Sequence, residues 1–184
     1  MVQRKFSLWK KILPKISRSA VLNLKAEIHG KVFIDDEAII GKSKIIAGSN
    51  CIVNIGRKTT IRDCVLITTT DNKLDIKESE LYEVKDVFIG NKVFISSEVN
   101  IYGPTLISDG TYIGCNTTIC NSKIGQNCVI EDRVLIKDTD LPPNTVVPSK
   151  SVVDSHEKLK ELILSNRYES YYNYLGTSLF NKAG

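Results

Sequence analysis

The chain has 184 residues, enough for one domain with a sizeable core, and its 42% apolar content is dominated by Ile and Val with few aromatics. A net charge of +4 is too mild to imply a nucleic-acid partner by itself, and no apolar run approaches the roughly 18 residues of a membrane-spanning helix. The five cysteines (Cys51, Cys64, Cys115, Cys120 and Cys128) are odd in number and lack paired spacing, which reads as free thiols in a reducing compartment.

Residues 1–15, MVQRKFSLWKKILPK, carry five basic side chains and no acid, with Phe6, Leu8, Trp9, Ile12 and Leu13 apolar. Such a segment suits a mitochondrial targeting sequence, a basic helix on a membrane surface, or an arm that covers the first repeat. The repeat begins at Ile16 and leaves little chain to cleave, which favours the arm.

From Ile16 an aliphatic residue recurs every sixth position: Ile16, Leu22, Ile28, Ile34, Ile40, Ile46, then after a longer step Ile55, Ile61 and Ile67. Between Ile67 and Ile89 the rhythm stops, and residues 68–88 read as a polar excursion. It then resumes through Ile95, Ile101, Ile107, Ile113, Ile119, Ile124, Ile130, Ile136, Leu141, Val147 and Val153. Four places after most of these stands a small or β-branched residue, such as Val93, Val99, Thr105, Thr111, Thr117, Cys128 and Val134. A period of six matches neither a helix, at about 3.6, nor a single strand, at about 2.0, so the unit is a short strand plus a corner. Stacked units of this kind form a parallel β-helix, with roughly three hexads per coil and roughly seven coils. After Val153 the pattern turns helical over 154–176, as one helix or two short ones. Asp154 and Glu157 stand at capping spacing, and Leu159, Leu162 and Ile163 form an apolar set. A second set, with Tyr168 and Tyr172, falls on nearly the opposite side, and 177–184 is a tail.

Taking the residue just before each inward aliphatic by wall separates three faces. Two are mixed: Lys15, Phe33, Asn54, Phe88, Leu106, Lys123, Asp140, and Glu27, Ile45, Leu66, Asn100, Thr118, Leu135, Val152. The third is apolar almost throughout: Val21, Ile39, Thr60, Phe94, Tyr112, Val129, Val146. A soluble monomer rarely leaves such a stripe open. The expected cover is the C-terminal helix or a neighbouring chain, and the interface residues are Val21, Ile39, Phe94, Tyr112, Val129, Val146, Tyr168 and Tyr172.

The catalytic inventory is thin. There are two histidines, His29 beside an inward Ile28 and His156 at the start of the helix, so one chain cannot assemble three imidazoles around zinc. Asp63, Glu98 and Asp132 fall at outward positions and read as solvated. Neither a glycine-rich phosphate loop nor a nucleophile elbow is present.

From Lys15 to Val153 the sequence resembles the γ-carbonic-anhydrase-like branch of the hexapeptide-repeat proteins. The residues that carry the likeness are VLITT, DVFIGNKVFISSEVNIYG and LPPNTVVPSKSVV. Within that branch, AEIHGKVFIDDEAIIGKSKIIAG and the tyrosines of YESYYNYL are similar to the small pointed-end subunits of dynactin, numbered five and six. The resemblance implies an all-β fold, a left-handed parallel β-helix of about seven coils with a C-terminal helical segment. It places Thr68, Ser97 and Tyr102 where γ-class enzymes hold zinc histidines, which implies no catalytic, metal or cofactor site. The role implied is a non-enzymatic structural subunit, cytoplasmic and cytoskeleton-associated. Its implied partners are a paralogous β-helix subunit and the dynactin pointed-end complex, with no nucleic acid and no membrane span. The alternatives are a zinc-free subunit of mitochondrial complex I and a hexapeptide-repeat acyltransferase whose catalytic groups come from a neighbour.

Overall fold

The computed structural model describes residues 13–69 and 86–164. All named strand pairs run parallel, and they stack as three walls around a narrow prism. The first wall runs Lys15–Ile16, Val32–Ile34, Val53–Ile55 and Val87–Ile89, and continues through the later halves of Asn100–Ile107 and Thr118–Ile124. The second is a 7-stranded sheet from Val21–Leu22 through Ile39–Ile40, Thr60–Ile61, Phe94–Ile95, Tyr112–Ile113 and Val129–Ile130 to Val146–Val147. The third holds Glu27–His29, Lys44–Ile46 and Leu66–Thr68, the first halves of the two long strands, and then Leu135–Lys137 and Val152–Val153. The two long strands turn a corner unbroken and so join the first and third walls into one 11-stranded sheet. Seven levels in the second wall give the seven coils read from the hexads.

The hexad aliphatics fill the prism. Ile40, Ile55, Ile61, Ile67, Ile95, Ile101, Ile107, Ile113, Ile119, Ile124 and Ile130 are fully buried and stack coil on coil. The small residues four places on lie at the bends, and the threonines among them have a second task. Thr59, Thr111 and Thr117 donate their hydroxyls to the carbonyls of Gly90, Gly125 and Glu131 in the next coil, at 2.7, 3.0 and 3.0 Å. A buried hydroxyl without a partner is costly, so the corner that selects a small residue also supplies its acceptor.

The bend itself requires a left-handed residue. Along one corner Glu37, Lys58, Lys92, Asn127 and Asn144 all have positive φ, between 53° and 59°, and Gly110 takes the same place at 70°. Asn and Gly accept this conformation readily, whereas Lys and Glu do so at a cost. Lys58, Lys92, Gly110, Asn127 and Asn144 each donate the backbone N–H to a carbonyl of the coil before. Carboxylates brace the bends as well: Asp63, Asp109 and Asp132 accept from the N–H of Lys42, Asn91 and Cys115 in the preceding coil, at 2.7 to 2.8 Å. Asp63 and Asp132 are therefore coil-to-coil braces as well as solvated acids. Gly114 shows how tight the bends are, since a Cβ there would stand 2.5 Å from the backbone carbon of Glu131.

Three sequence expectations need correction. The inward residue of the second coil's third wall is Ile45, which is fully buried and pairs with Ile28 and Ile67, whereas Ile46 lies beyond it. The step from Ile40 is five residues because Ser43 takes the bend and donates its hydroxyl to the Arg62 carbonyl at 2.7 Å. The outward position on that wall therefore belongs to Lys44, which meets Glu27 at 3.6 Å. At the C-terminus the helix spans His156–Leu164 and its cap is Ser155, which accepts from the N–H of Lys158 at 3.3 Å. Asp154 stands outside the helix and pairs with Lys158 at 2.7 Å. Third, the excursion is bracketed by the strands Leu66–Thr68 and Val87–Ile89, and residues 70–85 lie outside the described ones.

Two coil ends differ. At the C-terminal end Val153 is buried, and Leu159 of the helix joins the core above it. At the other end Ile16 is exposed and Leu22 and Ile28 are only half-buried. No helix among the described residues is long and apolar enough to cross a membrane.

Replacing Ile113 with Ala should remove a fully buried side chain from the middle of the stack and cost about 2–5 kcal/mol in chemical denaturation, through lost burial and the cavity left behind. A loss below about 0.5 kcal/mol would mean that the inward register is wrong.

Candidate functional site

The second wall carries the register that the sequence implied. Val21 lies beside Ile39, Ile39 beside Thr60, Thr60 beside Phe94, Phe94 beside Tyr112, Tyr112 beside Val129, and Val129 beside Val146. Exposure along this column is graded. Val21, Ile39 and Phe94 are 62%, 49% and 38% exposed, Tyr112 is half-buried, and Val129 and Val146 are buried. The rings of Phe94 and Tyr112 stack with centroids 5.6 Å apart and planes within 8°, so the open stretch has a rigid aromatic centre.

The expectation that the C-terminal helix lies along this wall is corrected. Its main contact is with Val152–Val153, at the end of the third wall, and Ile163 remains exposed. Tyr168 and Tyr172 lie outside the described residues.

Titratable groups gather at a different place. A shallow groove of about 450 Å³ lies where the third wall bends into the first, with Phe88 and Leu106 forming an apolar floor. His156 comes to its rim from the helix, beside Asp138, Asp140 and Lys123. The carboxylates already have partners: Asn121 donates to Asp138 at 2.7 Å, and Lys123 pairs with Asp140 at 3.5 Å. Among the described residues no carboxylate hydrogen bond fixes the His156 imidazole, which therefore offers a base without an orienting partner. The sequence reading placed His156 at the start of the helix and counted it only toward a zinc site. What it missed is that the helix starts three residues after Val153 and returns the imidazole over the Lys123–Asp140 column. His29 is exposed at the far end of the prism and shares no site with it.

The positions aligned with zinc ligands do not fit the metal. Thr68 and Tyr102 are neighbours across adjacent coils, while Ser97 lies in the bend before that strand begins. Three neutral hydroxyls offer none of the imidazole, thiolate or carboxylate donors that zinc takes. No group of three His, Cys, Asp or Glu among the described residues could hold a metal ion. None of the five cysteines forms a disulfide: Cys51 and Cys128 are buried, Cys64 is exposed, and Cys115 and Cys120 lie between. Burial pushes the Cys128 thiol up, and burial followed by the nearby Asp138 does the same to Cys120. Both are poorer nucleophiles for it.

No family model matches the chain. It is 26% identical over 123 residues to a carbonic anhydrase of Methanosarcina thermophila, covering 62% of this chain and 50% of that protein. It is 27% identical over 115 residues to the carboxysome assembly protein CcmM of a Nostoc species, covering 62% of this chain and 20% of that one. The chain thus spans half or less of the length of these curated relatives. Among solved structures, a Bacillus cereus protein named as an acetyltransferase superposes with a TM-score of 0.65 at 20% identity, covering 91% of this chain and 92% of that one. A hexapeptide transferase family protein of Anaplasma phagocytophilum gives 0.57 at 17%, covering 91% and 94%. The fold is therefore the left-handed β-helix of the hexapeptide-repeat proteins, with γ-carbonic-anhydrase-like relatives. The expectation of a protein without enzymatic activity is overturned, because the structures that share its architecture over nine tenths of the chain are named as transferases. The inventory behind that expectation counted His156 only toward a zinc site and missed the groove that it lines.

Elemental analysis of the purified chain should return no stoichiometric zinc, and one tightly held equivalent would require ligands outside the set described above. Brief alkylation of the native protein should label Cys64 first and Cys128 last, as peptide mass mapping would read. Early labelling of Cys128 would contradict its burial.

Proposed function

We propose that this chain is a docking subunit of a larger protein assembly and that it engages a neighbouring protein through the second wall. One observation carries the reading: Val21 pairs with Ile39 and, one level beyond Thr60, Phe94 pairs with Tyr112, and Val21, Ile39 and Phe94 stand open in this single column. An apolar ladder of this kind on a flat, rigid face is what a protein interface needs at its centre, because few rotamers remain to be lost on binding. The relative in Nostoc is named for assembly, which supports the same reading. The finer candidate comes from the sequence resemblance alone: a pointed-end dynactin-type subunit, cytoplasmic, set beside a paralogous β-helix chain. The complex I alternative shares the docking role and differs in compartment.

A second reading has its own observation. The groove at His156 places an imidazole over an apolar floor, and transferases share the fold, so group transfer at that groove is compatible with docking at the second wall. A missing orienting carboxylate would then have to come from the neighbour.

Mass spectrometry of proteins that co-purify with the tagged chain decides the partner class. Dynactin subunits support the finer candidate and complex I subunits support the alternative. A chain that stays monomeric and alone at working concentration removes the docking reading. Phe94→Asp should weaken assembly by at least about tenfold, equivalent to about 1.4 kcal/mol, while the circular dichroism of the coil stays unchanged. Normal assembly of that variant would place the interface elsewhere.

A further inference from the structure

The open part of the second wall has a defined extent. Val21, Ile39 and Phe94 are exposed and Thr60, between the last two, is half-buried, whereas Val129 and Val146 further along the column are buried. The opening thus covers the first four of the wall's seven levels, with Tyr112 at its edge. The charges along its two borders change sign within this span. At the bend before the strands, Asp36 and Glu37 stand one level ahead of Arg57 and Lys58. Their ion pairs within the chain are loose, 3.4 to 3.9 Å, and all four side chains remain 51–59% exposed. Both signs are therefore available to a neighbour. At the bend after the strands the order is reversed. Lys25 and Lys42 come at the first two levels, Asp63 and Glu98 at the next two, and all are exposed. Both borders invert between the second and third levels, and the apolar column is centred there too, between Ile39 and Thr60.

We propose that the neighbour on the second wall is a second copy of this chain, an inference that rests on the docking reading above and names its partner. The copy is turned end for end about a two-fold axis that lies along the strands between Ile39 and Thr60. This rotation lays each border on its own counterpart with the levels reversed, as a self-complementary interface requires. Asp36 and Glu37 then face Arg57 and Lys58 of the second copy, Lys25 faces its Glu98, and Lys42 faces its Asp63. The column interlocks by size: Phe94 lies on Val21 and Ile39 on Thr60, a larger side chain against a smaller one at every level. Arg18 meets Lys92 and Arg62 approaches Lys42 with like charge, which costs little where both side chains reach water. Two observations select this arrangement over one with the copies parallel. A parallel copy sets Phe94 on Phe94 and Val21 on Val21, so the bulkiest level meets itself. It also has to lie along the closed levels at Val129 and Val146, which fall beyond the first coil of an end-for-end copy. The footprint is roughly 20 Å on a side, small for a specific interface, so the dimer is reversible and its border charges make it sensitive to salt.

Sedimentation velocity of the full chain over a concentration series tests this. A monomer–dimer equilibrium is expected, weakened by added salt. Phe94→Asp should raise the dissociation constant by at least about tenfold. Lys25→Glu and Glu98→Lys, both at exposed positions, should each raise it several-fold, and the double variant should return it close to its starting value. The circular dichroism of the coil should be unchanged throughout. In a parallel dimer Lys25 lies beside Arg18, so Lys25→Glu tightens association. That result, or a double variant that fails to recover, overturns the proposal. So does a trimer or larger oligomer, and so does a dimer that Phe94→Asp leaves intact. A chain that stays monomeric at every concentration also overturns it. If a different protein then co-purifies with the chain and is lost from Phe94→Asp, the docking reading stands without the second copy. If none does, both fall.

Discussion

Everything in this molecule depends on one constraint: a parallel coil must lie directly on the coil before it, about 4.8 Å away. At that spacing an inward side chain touches its own equivalents above and below, so the best filling is the same shape repeated. Isoleucine meets the requirement because its χ1 is stiff and its branched body suits a strand. The corners follow from the same constraint. A wall can bend between short strands only where one residue takes a left-handed φ, and it does so at Lys58 and Lys92 as well as at Asn127 and Asn144. The ladder hydrogen bond on each side is what holds a lysine in that conformation.

Because partners such as Phe94 and Tyr112 are only eighteen positions apart, contacts along the stack close short loops. Stability in such a chain is close to a sum of coil terms and nearest-neighbour terms, and the ends matter more than in a globular core. The helix His156–Leu164 answers this at one end through Leu159.

The hexads made most of the fold legible, since inward and outward positions are set by the period of six alone. The sequence reading failed where a corner changed length. Ile45 and Ile46 are adjacent, alike and both apolar, so composition could not say which one faced in. The hydroxyl of Ser43 on the Arg62 carbonyl, which shortens that corner, has no signature in a pattern of aliphatics. The helix misled for a related reason. Its apolar set is real, but Leu159 turns into the end of the core, and the cap is Ser155 while Asp154 pairs with Lys158. The apolar face was readable because each outward residue precedes an inward one. The groove at His156 was not, because its residues come from four coils and a helix that meet only when the chain is wound.

The third wall also ends in a break that leaves no mark on the ladder. Leu66–Thr68 and Val87–Ile89 belong to successive walls, and Val87–Ile89 rests on Val53–Ile55 in the register every other coil keeps. The described strands on either side therefore keep their ladder across that corner. The entropic price of a longer loop grows only logarithmically, by about 0.6 kcal/mol for each doubling. That corner is a port: residues can be added, removed or exchanged there while the prism continues to wind, so the architecture separates what the scaffold must conserve from what it can display.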